Sequence, residues 1–247
     1  MTAAKNQTMD EGKLIVIASQ KGGTGKSTIA TNLAVVAASK KNKVLLIDCD
    51  PQQSATKWYG LRENQLGEHN KITLVEKSFK GMDVKSVWRD IAKFQEVYDL
   101  VIVDTPGEAA AFVNSLMKVA DLVIIPMATG YYDFWGASDT IQRVLSLNEE
   151  LEMPVVARIC LNQVSQTTSS RTTRSVAQEE IHQNQIPIFA ATLGKREIYA
   201  QSADGLGVTE RYEREAASGK AKKIRPAHRE IENLYKEIVE LLKGGKR

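Results

Sequence analysis

The sequence predicts an α/β protein with a single doubly wound, mostly parallel sheet flanked by helices. Three observations carry this. Short apolar runs recur at residues 14–17 (LIVI), 44–47 (VLLI), 100–103 (LVIV), 122–125 (LVII) and 155–161 (VVARICL). They are β-branched and continuous rather than alternating, as strands covered on both faces are. Stretches of helical periodicity lie between them, and the alternation runs along the whole chain without a linker or a repeat.

In chain order, residues 1–12 are polar and read as a flexible N-terminal segment. The run at 14–17 is the first strand, and Ile29, Leu33 and Val36 mark one face of the helix after it. The run at 44–47 is the next strand. Val84, Val87, Trp88 and Ile91 fit a helical face before the strand at 100–103; Phe112, Val113, Leu116 and Met117 fit another before the strand at 122–125. After the strand at 155–161 comes a terminal helix striped by Ile231, Leu234, Tyr235, Ile238, Leu241 and Leu242. Residues 13–247 read as one domain. Within it, residues 211–229 form a basic segment, with Lys or Arg at 211, 214, 220, 222, 223, 225 and 229 against glutamates at 213 and 215.

At 247 residues, 43% hydrophobic and 26% charged, the composition excludes fibrous and disordered classes. Cys49 and Cys160 cannot make a disulfide framework or a four-ligand zinc site, and His69, His182 and His228 lie far from them in sequence. A reducing cytoplasm suits such a chain. The start, MTAAKNQTMDEGK, lacks the apolar core of a secretory signal. No apolar run approaches the ~20 residues of a membrane helix. The net charge of +3 says little about nucleic acid; the distribution of the charge says more.

The chemistry lies in SQKGGTGKST at residues 19–28, between the first strand and the first helix. Glycines let the backbone turn successive N–H groups toward a phosphate, and the helix N-terminus adds partial positive charge. Lys26 brings a full charge to β- and γ-phosphates, and the Ser27 hydroxyl is a Mg²⁺ ligand. The loop departs from G-x-x-x-x-G-K-[ST]: Gln20 stands where the first glycine belongs, followed by a second lysine, Lys21. Carboxylates for the metal stand at strand ends. Asp104 closes LVIVD before Thr-Pro-Gly, and Asp48 and Asp50 close VLLIDCDP.

With these motifs in place, KGGTGKST, LLIDCDPQQSAT, DLVIVDTPG and ADLVIIP resemble the ParA/MinD family of deviant Walker A P-loop ATPases. DCDPQ and YYDFWGASDT are similar to its short ParA-type partition branch. The resemblance spans about residues 13–210 and the terminal helix. It implies that Lys21 reaches into the partner subunit's ATP site when two protomers sandwich two nucleotides. It further implies that Gly22, Gly23, Thr24 and Gly25 cradle phosphate, that Lys26 and Ser27 bind phosphate and Mg²⁺, and that Thr28 approaches the α-phosphate. By the same resemblance Asp48 and Asp104 would hold magnesium through water, Asp50 would orient the attacking water and Asn162 would contact the purine, with the adenine-side loop at 193–202 including Arg196.

The activity so implied is a slow, partner-stimulated ATPase for DNA partition or cargo positioning. An ATP–Mg²⁺ homodimer binds non-specific DNA at the nucleoid in the cytoplasm, and a ParB-like or other cargo adaptor triggers release. Arg171, Arg174, Lys220, Lys222, Lys223 and Arg225 are the candidate DNA face. Tyr131, Tyr132, Phe134 and Trp135, lacking interleaved basic residues, read as packing or dimer residues rather than base-stacking ones. Two alternatives remain: a MinD-like ATPase cycling on a membrane, which needs an amphipathic anchor, and a metabolic or metal-cluster-handling relative, which needs paired cysteine ligands. The stripe of the terminal helix reads as core, so a membrane partner is not expected.

Overall fold

The computed structural model describes residues 12–107, 111–165, 179, 186–216, 219 and 221–244. Six parallel strands form one sheet: β1 (Lys13–Ile17), β2 (Val44–Asp48), β3 (Ile72–Glu76), β4 (Leu100–Asp104), β5 (Leu122–Met127) and β6 (Val156–Leu161), in the order β3-β2-β4-β1-β5-β6. The described helices are α1 (Lys26–Ser39), α2 (Ser54–Leu66), α3 (Val84–Gln95), α4 (Ala111–Val119), α5 (Tyr131–Asn148), α6 (Glu197–Gln201), α7 (Val208–Ala216) and α8 (Arg225–Gly244).

Neighbouring side chains on the central strands enter opposite layers. Ile15 and Ile17 join a cluster built with α1 and α8, whereas Leu14 and Val16 join one built with α3, α4 and α5. Every residue of β2, β4 and β5 is buried, which is why these segments read as unbroken apolar runs. The predicted parallel, doubly wound sheet is therefore observed, with one strand more than the apolar runs mark. β3 escaped notice because it is an edge strand: only Ile72 is buried, and Thr73 and Glu76 face solvent. Leu74 packs against one layer and Val75 against the other, but exposed Thr73 breaks the apolar run.

The predicted face of α3 is half right. Val87 and Ile91 are buried, but Trp88 is 60% exposed and Val84 is also exposed, one position round the helix from the buried stripe. In α8, Ile231, Leu234, Tyr235, Ile238 and Leu242 enter the α1 layer, so the terminal stripe is core. Much of the basic segment is helical, in α7 and the first turns of α8.

One buried cation ties the far side of α1 together. Arg62 of α2, 2% exposed, makes bonds of 2.6 and 2.7 Å to the Glu210 carboxylate of α7 and donates to the Gly205 carbonyl at 3.1 Å. Its guanidinium also sits 5.3 Å from the ring of Trp58. Removing one member of such a pair strands the other and leaves a cavity. Arg62→Ala is expected to lower stability by about 2–3 kcal/mol, the partly exposed Glu210 keeping the loss at the lower end, as read by urea denaturation.

Candidate functional site

At the carboxyl end of β1 the chain turns through the glycine-rich loop into α1. Gly23 (φ +74°) and Gly25 (φ +94°) adopt left-handed backbone that only glycine takes without strain. α1 starts at Lys26 with no capping side chain and no acid in its first turn, leaving its amino end open to an anion. The register of the sheet sets Asp104 beside both Asp48 and Ile17, so the acids of β4 and β2 flank the mouth of the loop. A cleft of about 940 Å³ opens here, lined by Gly22, Gly23, Gly25, Lys26, Ser27 and Thr28 on one side and by Asp50, Trp58, Pro106, Gly107, Gln163, Tyr199 and Ser202 on others.

Burial makes the charges of this cleft costly. Lys26 is 6% exposed, and desolvation lowers its pKa against the upward pull of Asp104 and Asp50. Asp104 is fully buried, and desolvation, with Asp48 and Asp50 adding to it, raises its pKa to about 7. Ser27 and Lys26 act in the other direction. The Ser27 hydroxyl is near enough to matter, yet neither Asp104 oxygen is in a well-formed hydrogen bond. An orphaned buried carboxylate beside a serine hydroxyl fits Mg²⁺, which keeps waters and borrows phosphate oxygens. Among the described residues no group of three or more His, Cys, Asp or Glu forms a metal cage, so a protein-only site is not offered. Cys49 and Cys160 are buried thiols whose pKa values are pushed up by desolvation, that of Cys160 to about 12.

The structure brings most of the expected residues together and gives each of Asp48, Asn162, Arg196 and Lys21 a partner within the protein. Asp48, like Asp104, is buried behind the residues that line the cleft, and its Oδ2 accepts from Thr56 N at 2.8 Å and Thr56 Oγ1 at 2.9 Å, fixing the start of α2. Asn162 is held at the phosphate loop. Its amide donates to the Thr24 carbonyl at 2.7 Å, because β6 ends directly behind the phosphate loop. Arg196 is drawn off by Glu230 of α8, with bonds of 2.6 Å from Nη2 and 3.0 Å from Nε, and it does not line the cleft. Lys21 lies outside its own cleft, paired with Asp133 of α5, whose other oxygen accepts from Gly130 N at 3.1 Å.

From the expected adenine-side loop, Tyr199 and Ser202 do line the cleft, and Trp58 Nε1 donates to the Ser202 carbonyl at 3.0 Å. Trp58, Gln163 and Asp133 were missed because no local pattern distinguishes them; each reaches the site through the fold. Of the candidate DNA residues, Lys222, Lys223 and Arg225 are exposed, while Arg171, Arg174 and Lys220 lie outside the described residues. Phe134 is buried and Trp135 is 56% exposed, so the aromatic group is divided between core and surface.

A glycine loop of this shape on a parallel sheet makes this a phosphate-loop nucleotide-binding protein. More narrowly, the chain belongs to the CobQ/CobB/MinD/ParA nucleotide binding domain family, which residues 15–206 match. Protein ParA of Rhizobium radiobacter is 29% identical over 192 residues, covering 76% of this chain and 80% of that protein. Maintenance of carboxysome distribution protein A of Halothiobacillus neapolitanus is 25% identical over 196 residues, 78% of this chain and 85% of that one. Among solved structures, an ATP complex of McdA from Cyanothece has a TM-score of 0.69 at 20% identity, covering 96% of this chain and 98% of that chain. The MinD cell division protein of Aquifex aeolicus has a TM-score of 0.67 at 17% identity, covering 95% and 98%. The fold is that of the ParA/MinD-type ATPases. No helix among the described residues is long and apolar enough to cross a membrane.

Because Asp104 holds its proton more tightly folded than unfolded, its ionisation in the folded protein costs stability. That cost is absent below about pH 4 and grows as pH rises through about 7. Asp104→Asn is therefore expected to raise the Tm of the nucleotide-free protein at pH 8, by the equivalent of on the order of 1–3 kcal/mol, with no gain at pH 4. Calorimetry across this range checks it, and the same variant should lose the Mg²⁺ dependence of nucleotide binding.

Proposed function

We propose that this chain is a ParA-type ATPase for DNA partition or cargo positioning. Its Mg²⁺–ATP form pairs as a sandwich dimer and binds DNA without sequence preference. It releases DNA when a ParB-like or other cargo adaptor stimulates hydrolysis. The observation that carries the reading is the unlike placement of two lysines in one loop. Lys26 is buried in the cleft of its own chain, whereas the Lys21 side chain stands outside it, 47% exposed. A cation kept out of its own site suits the γ-phosphate in a partner's, as an arginine finger does.

In this reading the loop N–H groups, Lys26 and Thr28 hold the phosphates. Ser27 and Asp104 hold Mg²⁺, with Asp48, whose Oδ2 also fixes the start of α2, joining through water. Mg²⁺, when bound, neutralises charge building on the β- and γ-oxygens. Asp50, which lines the cleft, orients the attacking water. Hydrolysis that waits for a second subunit is slow, below the roughly 1–10³ s⁻¹ of metabolic enzymes, and ATP acts first as a switch.

The reading takes as DNA face Lys222, Lys223 and Arg225 at the head of α8, exposed and extended by Arg229, with association at the nucleoid as its consequence. A MinD-like membrane cycle is less well supported, because the stripe of α8 is already packed in the core.

Light scattering with ATP and Mg²⁺ should show a monomer become a dimer. Lys21→Ala should weaken the dimer or its hydrolysis while leaving nucleotide affinity within a few-fold; Lys26→Ala should lose binding itself. Asp50→Ala should keep the dimer and stop turnover. Loss of ATP binding in Lys21→Ala as complete as in Lys26→Ala would make Lys21 a ligand of its own site and end the sandwich reading.

DNA affinity, measured over a salt series on unrelated duplexes, should require ATP. Replacing Lys222, Lys223 and Arg225 together by Ala should flatten the slope of log K against log salt by up to about 3 per patch. ATPase activity and dimerisation should not change. Binding of a single sequence, or none in ATP, would count against partition.

A further inference from the structure

Resting on the nucleotide site above, we infer that Asn162 and Gln163 position the phosphate loop. They hold its backbone in the anion-receiving shape before nucleotide arrives. Both residues directly follow β6, and their side-chain amides donate to consecutive carbonyls of the loop, Asn162 to Thr24 at 2.7 Å and Gln163 to Gly23 at 2.9 Å. A carbonyl only accepts, so each amide must present its nitrogen there.

The consequence follows from peptide geometry. In a planar trans peptide, the C=O of one residue and the N–H of the next point in opposite directions. Drawing the Gly23 and Thr24 carbonyls onto the end of β6 turns the N–H groups of Thr24 and Gly25 the opposite way. Among the described residues neither of these N–H groups has a hydrogen-bond partner, and Gly23 and Gly25 line the cleft. Two donors are thus left for phosphate by tying down two acceptors.

The brace stands on rigid structure. Asn162 N donates to the Met127 carbonyl of β5 at 2.8 Å, and Val164 N to the Leu193 carbonyl at 3.0 Å. Asn162 is 5% exposed, so its amide cannot exchange partners with water at will. The fit also explains two local features. A Cβ on Gly25 would lie 2.1 Å from Asn162 Nδ2, so the brace itself demands glycine there, in addition to the backbone angle. Gln163 holds φ +54°, an uncommon conformation for a residue that is neither glycine nor asparagine, at the point where its amide reaches the loop. A purine contact would use the same amide, so the two roles give different results when base and phosphate are probed separately.

The test uses Mg²⁺–ATP and Mg²⁺–tripolyphosphate as probes, each competed against a fluorescent ATP analogue on the full chain. Asn162→Ala, the isosteric Asn162→Asp and Gln163→Ala are compared with the parent, with thermal melts confirming that each is folded. Asn162→Asp keeps the shape but cannot donate, so it should behave like the alanine variant or worse. The expected result is a loss of about 10-fold for the Asn162 variants and a smaller one for Gln163→Ala, by the same factor for both probes. A loss for ATP with tripolyphosphate unchanged would make Asn162 a base reader and overturn the inference. So would unchanged affinity for both probes in the Asn162 variants and in Gln163→Ala. Should the Asn162 variants not fold, the more exposed Gln163→Ala decides on the same comparison. A parent chain that binds neither probe would instead refute the nucleotide site itself, a failure visible before any variant is made.

Discussion

Burial of opposite charges at the carboxyl edge of the sheet is the constraint around which the rest is arranged. Lys26 and Asp104 sit where β1, β2 and β4 end, largely or wholly removed from water. Desolvation pushes each toward its neutral form, so the amine is held less protonated and the carboxyl more so than in solution. Such a site is unfavourable as it stands and becomes favourable when a polyanion and a divalent cation enter together.

Around that centre the polar groups that could relieve the strain are committed elsewhere. Asp48 is spent on Thr56, Arg196 on Glu230, and Lys21 on Asp133. The first two of these bonds fix elements that border the cleft, the start of α2 and the turn before α6, and the third fixes the start of α5. The network behind Trp58, from Arg62 to Glu210 and from Asn32 to Ser202, does the same for the opposite wall. The cleft is therefore shaped by interactions pointing away from it, which leaves its interior to the ligand.

The α8 layer bears on function as well as stability. Its apolar face is consumed by packing against α1, and its glutamates at 230 and 237 bond the backbone at 194 and at 190–191. What remains outward at its head is basic. A helix so occupied presents charge, not an apolar stripe, at its exposed surface.

Much of the fold and the heart of the site were legible in the residues. Strands buried on both faces must be largely apolar, so β1, β2, β4 and β5 are visible as runs, and the edge strand β6 through its buried second half; a loop that turns N–H groups inward must have glycines, so residues 22–25 declare themselves. Asp104 was legible because it ends a strand. β3 was not, since at the sheet edge only Ile72 is fully buried and Thr73 interrupts the pattern, and the exposure of Trp88 depends on a rotation of one residue that periodicity does not resolve. The partners of Asn162, Arg196, Asp48 and Lys21 belonged to tertiary structure alone. Their side chains are polar and within reach of several groups, and which one wins is settled by distance across the fold: Thr24 lies 138 residues from Asn162 in sequence, and Asp133 lies 112 from Lys21. Sequence determines which chemistry is present at each position; only the packed sheet decides which of those groups face the ligand and which face each other, because a hydrogen bond is made by proximity and not by residue type.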